Sequence, residues 1–299
     1  MSFAPAEFIH EQIRLLGASV AGAETYIVAP ELNLGFDVGR CPDSVLNVDH
    51  IFLSHGHMDH AAGVAYYFSQ RMFIDNAPGT MYMHPALIDS FEALLRLWGE
   101  IDGSKPESRL VAVEPGRDVE LRRDLLVRPF EVNHPSRKPD RTIVPALGFS
   151  AIEVRKRLRE EYQGLAGPAL VELKKKGIAI EQRLEVPLVT YCGDTAPGPF
   201  FDLPCVREAK VLLLECTFID PDHKHRARGG RHMHVEYLRE IMPQLNCEKI
   251  VLIHLSRRTA LQDAREAVRR AVGDADMPRI SFLAEHRRRK KRPPEPEPT

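Results

Sequence analysis

Short runs with strand-like alternation recur through the first half of the chain: ETYIV at 24–28, then Leu34, Phe36 and Val38 between small or polar residues, IFLS at 51–54, TMYMH at 80–84 and LLVRPFEV at 125–132. Between them, 85–98 predicts a helix. Leu87, Ile88, Phe91, Leu94, Leu95 and Trp98 share one face at helical spacing, behind a Pro suited to the first turn. That stripe is expected to be core, and a second helix is read over 61–70.

The second half repeats the grammar, with PLVTYCGD at 187–194, KVLLLECTF at 210–218, KIVLIHLS at 249–256 and RISFLAE at 279–285, and helical stretches near 234–245 and 258–272. Strands that feed helices in both halves imply an α/β protein. Its expected form is an αββα sandwich, two mixed β-sheets face to face with helices on both outer faces. Residues 1–286 are read as one domain with a single shared core.

Residues 153–185 interrupt the pattern as a charged insert with Gly164, Gly167 and Pro168 in its middle. From 155 to 176 it holds seven basic residues (Arg155, Lys156, Arg157, Arg159, Lys174, Lys175, Lys176) and three acidic ones (Glu160, Glu161, Glu172), a local balance of +4. Taken alone this is a solvated helical excursion. The end of the chain, 287–299, is a basic run followed by a Pro/Glu tail, too polar to pack and expected to be disordered.

Forty-one basic against 42 acidic residues give a formal charge of -1, so no global field draws the protein to polyanions, and a nucleic acid would have to be met locally. The five cysteines, Cys41, Cys192, Cys205, Cys216 and Cys247, are widely spaced without a C-x-x-C pair, which suits reduced thiols inside a cell rather than a disulfide framework. The first residues carry Glu7 and Glu11 instead of a continuous apolar stretch, and no apolar run approaches the roughly 18 residues that span a bilayer. A cytoplasmic protein with no membrane partner is expected.

The candidate chemistry starts in IFLSHGHMDHAAG. An apolar strand runs into His55 and His57, whose i, i+2 spacing aims both imidazoles the same way off extended backbone, so they can share one metal. Asp59 and His60 follow where the chain turns into a helix and face a second position close by. Two ions are therefore expected. Imidazole and carboxylate suit zinc, although manganese and iron accept the same donors. Further ligands should stand where later apolar strands run out: His134, Asp194 and His254. Glu215 ends the run LLLE, and His232 and His234 precede an amphipathic stretch. A hydrolytic site with a poor leaving group gains from a further acid, and a Glu–His pair supplies one. Arg137, Lys138 and Arg141 form a solvated loop or touch phosphate. His223 and His225 are read as surface residues, and His10, His50, His84 and His286 as structural.

The series His55, His57, Asp59, His60, His134, Asp194 and His254 resembles the metallo-β-lactamase superfamily, and more closely the short form of tRNase Z, over about residues 15–285. The resemblance implies that His55, His57 and His134 hold a first zinc, that Asp59, His60 and His254 hold a second, and that Asp194 bridges them. It also places Asp59 among the catalytic residues, with Glu215 and His232 at the positions of the acid pair. Where the family usually has His-Ser-Thr this chain reads His232-Met233-His234, closer to the plant-type form, so either histidine is a candidate acid. The insert resembles that of the plant-type enzymes at the place of the tRNA-binding arm. The loop GASVAGAETY lacks the Pro-x-Lys-x-Arg-Asn type of sequence that rejects mature CCA ends. The function implied is zinc-dependent endoribonucleolytic removal of the 3′ trailer of precursor tRNA, by metal-hydroxide attack on a phosphodiester. Homodimers are common in the family. The rivals are a phosphodiesterase for a small molecule such as a cyclic nucleotide, and a metal-free RNA-binding relative.

Overall fold

In the computed structural model, which describes residues 5–74 and 77–287, the alternating runs become strands. β1 (Ala6–His10), β2 (Ile13–Val20), β3 (Glu24–Ala29), β4 (Leu34–Phe36), β5 (His50–Phe52), β6 (Thr80–Met83) and β7 (Arg109–Ala112) form one sheet in chain order. β8 (Val119–Arg122), β9 (Leu125–Arg137), β10 (Ile143–Leu158), β11 (Glu181–Tyr191), β12 (Val211–Glu215), β13 (Lys249–Ile253) and β14 (Ile280–Phe282) form the other. In each sheet the first four strands pair antiparallel. The last three join in parallel. One arrangement is thus used twice, with β4, β5 and β6 in the places of β11, β12 and β13.

Parallel neighbours need a crossover, and helices provide it. Val64–Phe73 leads from β5 towards β6, Pro85–Asp102 from β6 to β7, Val235–Ile241 from β12 to β13 and Leu261–Val272 from β13 to β14. Strands covered on both faces must be apolar on both. In β5 and β12, Phe52, Val211 and Leu213 point between the sheets, into a layer with Leu15, Ile27, Phe36 and Phe149. Ile51 and Leu53 point outward onto Val64, Phe68 and Leu87, and Leu212 and Leu214 onto Leu238 and Val268. These three apolar layers are the αββα sandwich the pattern implied.

Three readings need correction. The helix of 85–98 runs on to Asp102, and only Leu87 and Phe91 of its stripe are buried; Leu94 and Trp98, expected in the core, are 40% and 48% exposed. Beyond Phe91 only Leu95 of the stripe still packs against the core. The helix of 61–70 is two pieces, Met58–Ala61 and Val64–Phe73. At the break, a Cβ on Gly63 would lie 2.6 Å from the Cys41 backbone nitrogen, which only glycine tolerates. Residues 153–185 begin and end as strand: Glu153 to Leu158 pair with Val186 to Glu181, so this stretch is the projecting end of the β10–β11 hairpin, tipped by helix Gly167–Lys175. The tail expected over 287–299 lies, apart from Arg287, outside the described residues. Among the described residues no helix is long and apolar enough to cross a membrane.

Phe149, fully buried between the sheets, packs against Phe52 at 5.3 Å and Phe36 at 6.5 Å between ring centroids. Phe149→Ala should lower unfolding free energy by about 3–5 kcal/mol in urea titration. Leu97→Ala, at a site 55% exposed, should stay within about 0.5 kcal/mol of the parent.

Candidate metal centre

The parallel strands of both sheets end at one edge, where the next few residues leave the ladder and carry the polar groups. Asp37 follows β4, His55 and His57 follow β5, Asp194 follows β11, Glu215 ends β12 and His254 follows β13, while His134 lies near the end of β9. Gly193 turns the chain into Asp194 at φ +59°, and a Cβ there would sit 3.1 Å from that of Ser54, so the position favours glycine on both counts. Asp37 and His254 adopt the same left-handed backbone (φ 56° and 58°) without being glycine, a strained conformation that clusters at functional sites.

Two groups of donors converge. His55, His57, His134 and Asp194 bring one nitrogen or oxygen each to within 4.8 Å of one another, and so do Asp59, His60 and His254. His57 Nδ1 is 3.0 Å from His55 Nε2 and 3.3 Å from His134 Nε2. In the second group His254 Nε2 lies 3.4 Å from Asp59 Oδ2. Asp194 joins the two, with Oδ2 3.9 Å from His55 Nε2 and Oδ1 3.4 Å from both His60 Nε2 and His254 Nε2. Every ligand expected from the sequence is therefore brought together.

For four of the five rings, the far side fixes the tautomer. His60 Nδ1 donates to Asp37 Oδ2 (2.6 Å) and His134 Nδ1 to the Arg231 carbonyl (3.0 Å). Ser54 gives its hydroxyl proton to Asp37 (2.7 Å), so its oxygen accepts from His55 Nδ1 at 3.0 Å. Thr217 gives its proton to Glu215 and accepts from His254 Nδ1 at 2.9 Å. Four Nδ1–H groups are thus committed, and four Nε2 atoms face inward as lone-pair donors. That is how metal-binding imidazoles are held. Asp59 is fixed by the Gly22 amide, which donates to Oδ2 at 2.9 Å.

A cation fits this cradle. His60 Nε2 and Asp194 Oδ1 are buried with no hydrogen-bond partner, which is costly for polar atoms unless something binds them. Burial lowers the basicity of His55, His57 and His134, and the neighbouring imidazoles add to it, so their nitrogens stay unprotonated and ready to ligate. Burial acts against Asp194 too, yet His254, His60 and His55 outweigh it and hold its carboxyl far below the usual range. On His60, burial is outweighed by Asp194 and Asp37, which raise it well above an ordinary histidine; a bound cation would take the place of its Nε2 proton.

Glu215, fully buried, accepts from Thr195 N at 2.7 Å, Met233 N at 3.1 Å and His232 Nδ1 at 2.8 Å. His232 Nδ1 also lies 4.0 Å from Asp194 Oδ2, beside the cluster. His234 is fully buried with both nitrogens engaged, Nε2 on the Asp220 carbonyl and Nδ1 capping helix Val235–Ile241 through Glu236 N. Sequence reasoning passed over Asp37, Ser54 and Thr217. An Asp directly after an apolar strand, as in Leu34-Gly35-Phe36-Asp37, repeats the signal that singled out Asp194. His223 and His225 belong to none of the donor groups, while half-buried His10 forms a separate group with Glu11 and Glu248, its Nε2 2.7 Å from Glu248.

Three comparisons with known proteins bear on the chain: a family model, sequence relatives and a solved structure. A model of the metallo-β-lactamase superfamily matches residues 43–74. The chain is 30% identical over 255 residues to tRNase Z TRZ1 of Arabidopsis thaliana, covering 84% of this chain and 88% of that one. It is 30% identical over 262 residues to chloroplastic tRNase Z TRZ2 of the same plant, covering 86% and 72%. The short form of human tRNase Z shares the fold, with a TM-score of 0.58 at 16% identity over 90% of this chain and 94% of that structure. The shared fold, the converging His and Asp donors and the two plant relatives lead to one conclusion: the chain belongs to the tRNase Z family of metal-dependent hydrolases, within the metallo-β-lactamase superfamily.

Proposed function

We propose that this protein is a zinc-dependent endoribonuclease that removes the 3′ trailer of precursor tRNA and leaves a 3′-hydroxyl on the tRNA. The observation that carries the reading is the His232–Glu215 pair, 2.8 Å apart and set beside a two-sided donor cluster. It is the acid that cleavage of a phosphodiester with an alkoxide leaving group requires. The plant relatives, named as tRNases Z, supply the substrate.

His55, His57 and His134 would hold one zinc ion, Asp59, His60 and His254 the other, and Asp194 would serve both. Ions bound there supply Lewis-acid polarisation of the phosphodiester and an activated water. The chain's own residues do the rest. Asp37, Ser54, Thr217 and the Arg231 carbonyl keep four rings in register. His232 offers the proton on Nε2 to the leaving oxygen, because Nδ1 is committed to Glu215. Burial opposes the charged ring, but Glu215 outweighs it and lifts His232 to about 9, so it stays protonated at neutral pH. Both nitrogens of His234 are engaged, which supports His232 as the acid.

The projecting β10–β11 hairpin is the surface we assign to the body of the tRNA. It is basic and solvent-facing, and helix Gly167–Lys175 buries none of its residues, as expected of an element that grips phosphates rather than core. The five cysteines, all free and buried, support a reducing compartment such as the cytoplasm. The exposed Leu94 and Trp98 of helix Pro85–Asp102 support a homodimer. A small-phosphodiester hydrolase would need the metal cluster but not the hairpin.

Asp194→Ala should abolish cleavage of a 3′-extended precursor tRNA and empty the site in elemental analysis. His232→Ala should keep its zinc and lose roughly 10²–10⁴-fold in turnover. The parent rate should fall as pH rises through about 9, where His232 gives up its proton, and His232→Ala should lack that alkaline limb. Zinc loss in His232→Ala would make it a ligand instead. Asp37→Asn exchanges one acceptor oxygen for an amide and frees the His60 ring; zinc affinity, read by competition with a chelator, should drop roughly 10–100-fold. Removing the tip 164–168 should depress tRNA cleavage far more than hydrolysis of bis-p-nitrophenyl phosphate, and equal losses would return the hairpin to a structural role.

A further inference from the structure

Beside the donor cluster a cleft of about 800 Å³ runs along β9, inside the range of roughly 300–1,000 Å³ typical of small-molecule sites. Its floor is the Arg128–Asn133 stretch of β9, and Pro197, Pro199 and Phe200 line one wall. One end lies beside the candidate metal centre, although none of the donors lines the cleft. Asn133 and Pro135, on either side of candidate ligand His134, both line the cleft, and so does Arg231, whose carbonyl holds the His134 ring at 3.0 Å. Proline walls are rigid, apolar and without N–H groups, so they offer flat contact and little polar competition.

The cations at its two ends differ. Arg128 is neutralised by Asp118 at 2.7 Å and Glu185 at 3.0 Å. Arg231 is exposed, makes no ion pair among the described residues, and is steadied by the Asn133 side-chain oxygen at 3.4 Å. It stands in left-handed backbone (φ 54°) directly before His232. A free guanidinium one residue from the acid, at the mouth of an apolar cleft, matches a phosphate followed by a base.

We propose that this cleft is a subsite for one unpaired ribonucleotide next to the scissile phosphate, with its base against the proline wall and its phosphate on Arg231. The assignment rests on the nuclease reading but names a feature that the metal centre and the hairpin do not use. It selects single strands, since a base held in a stacked duplex cannot enter the cleft.

The test is fluorescence anisotropy of the zinc-loaded full chain with a labelled, cleavage-resistant RNA hexamer, run beside cleavage of precursor tRNA. Arg231→Ala should weaken hexamer binding roughly tenfold and lower the salt slope of log Kd by about one, whereas Arg231→Lys should keep that slope. Leu203→Trp fills the cleft from its wall, and Glu131→Trp does so from an exposed lining position that does not endanger folding; each should weaken binding roughly tenfold or more. An abasic nucleotide at one position flanking the cut should remove the difference between parent and Glu131→Trp. No hexamer binding by the parent, or equal binding by all variants, overturns the subsite. Cleft-dependent hexamer binding without cleavage of precursor tRNA would overturn the tRNA reading and leave the subsite standing.

Discussion

Everything at the active edge answers to one electrostatic constraint: Asp194 is buried where water cannot reach it. An isolated buried carboxylate is prohibitively costly, so the fold surrounds it with imidazoles, at 3.4 Å for His60 and His254 and 3.9 Å for His55. Those contacts lower the cost without removing it, since Asp194 Oδ1 still makes no hydrogen bond. A shell built this way is under-satisfied by protein alone and completed by positive charge. The same reasoning explains the hydroxyls of Ser54 and Thr217. Each passes its proton outward to a carboxylate, so that the ring next to it keeps its lone pair facing in.

The repeated sheet shows how such a shell is assembled. Asp37 after β4 and Asp194 after β11 hold equivalent places in the two halves, yet they do different work. Asp37 sits one step back, accepting from Ser54, His60 and the Tyr191 hydroxyl, and it fixes rings instead of meeting the ligand space. Tyr191, from the second half, thereby ties its own strand β11 to the aspartate of the first half. His254 is tied across in the opposite sense, its amide donating to Ser19 Oγ at 3.0 Å. Each half positions groups of the other, so the centre exists only when both sheets are packed.

This division explains what the sequence made legible. His55, His57, Asp59 and His60 stand in one short run, and His134, Asp194 and His254 each stand where an apolar run gives out, so residue type and local pattern were enough to collect them as candidates. Asp37 carried the same local signal but no neighbouring ligand, and its partners Ser54 and Tyr191 lie 17 and 154 positions away. A contact of that separation leaves no trace in composition or period. The stripe of helix Pro85–Asp102 failed for a related reason: periodicity reports which face is apolar, not how much of that face the rest of the fold covers. The insert was misread because Glu153 to Leu158 alternate charged with apolar residues only weakly, and the pairing with Glu181 to Val186 spans a loop that the local pattern does not bridge.

The same logic separates chemistry from choice of substrate. The donors stand on strand ends with both sheets behind them, where a small shift would break several bonds at once. The surfaces that would read an RNA are the hairpin tip and the proline-walled cleft, and neither contributes a donor to the metal cluster. Arg231 belongs to both worlds: its carbonyl orients His134, and the residue also lines the cleft, its guanidinium on Asn133. A chain with a formal charge of -1 cannot attract a polyanion by its overall field. In the proposed reading, affinity for RNA comes from a few placed cations, and Arg231, left-handed and directly before the proposed acid His232, is one of them.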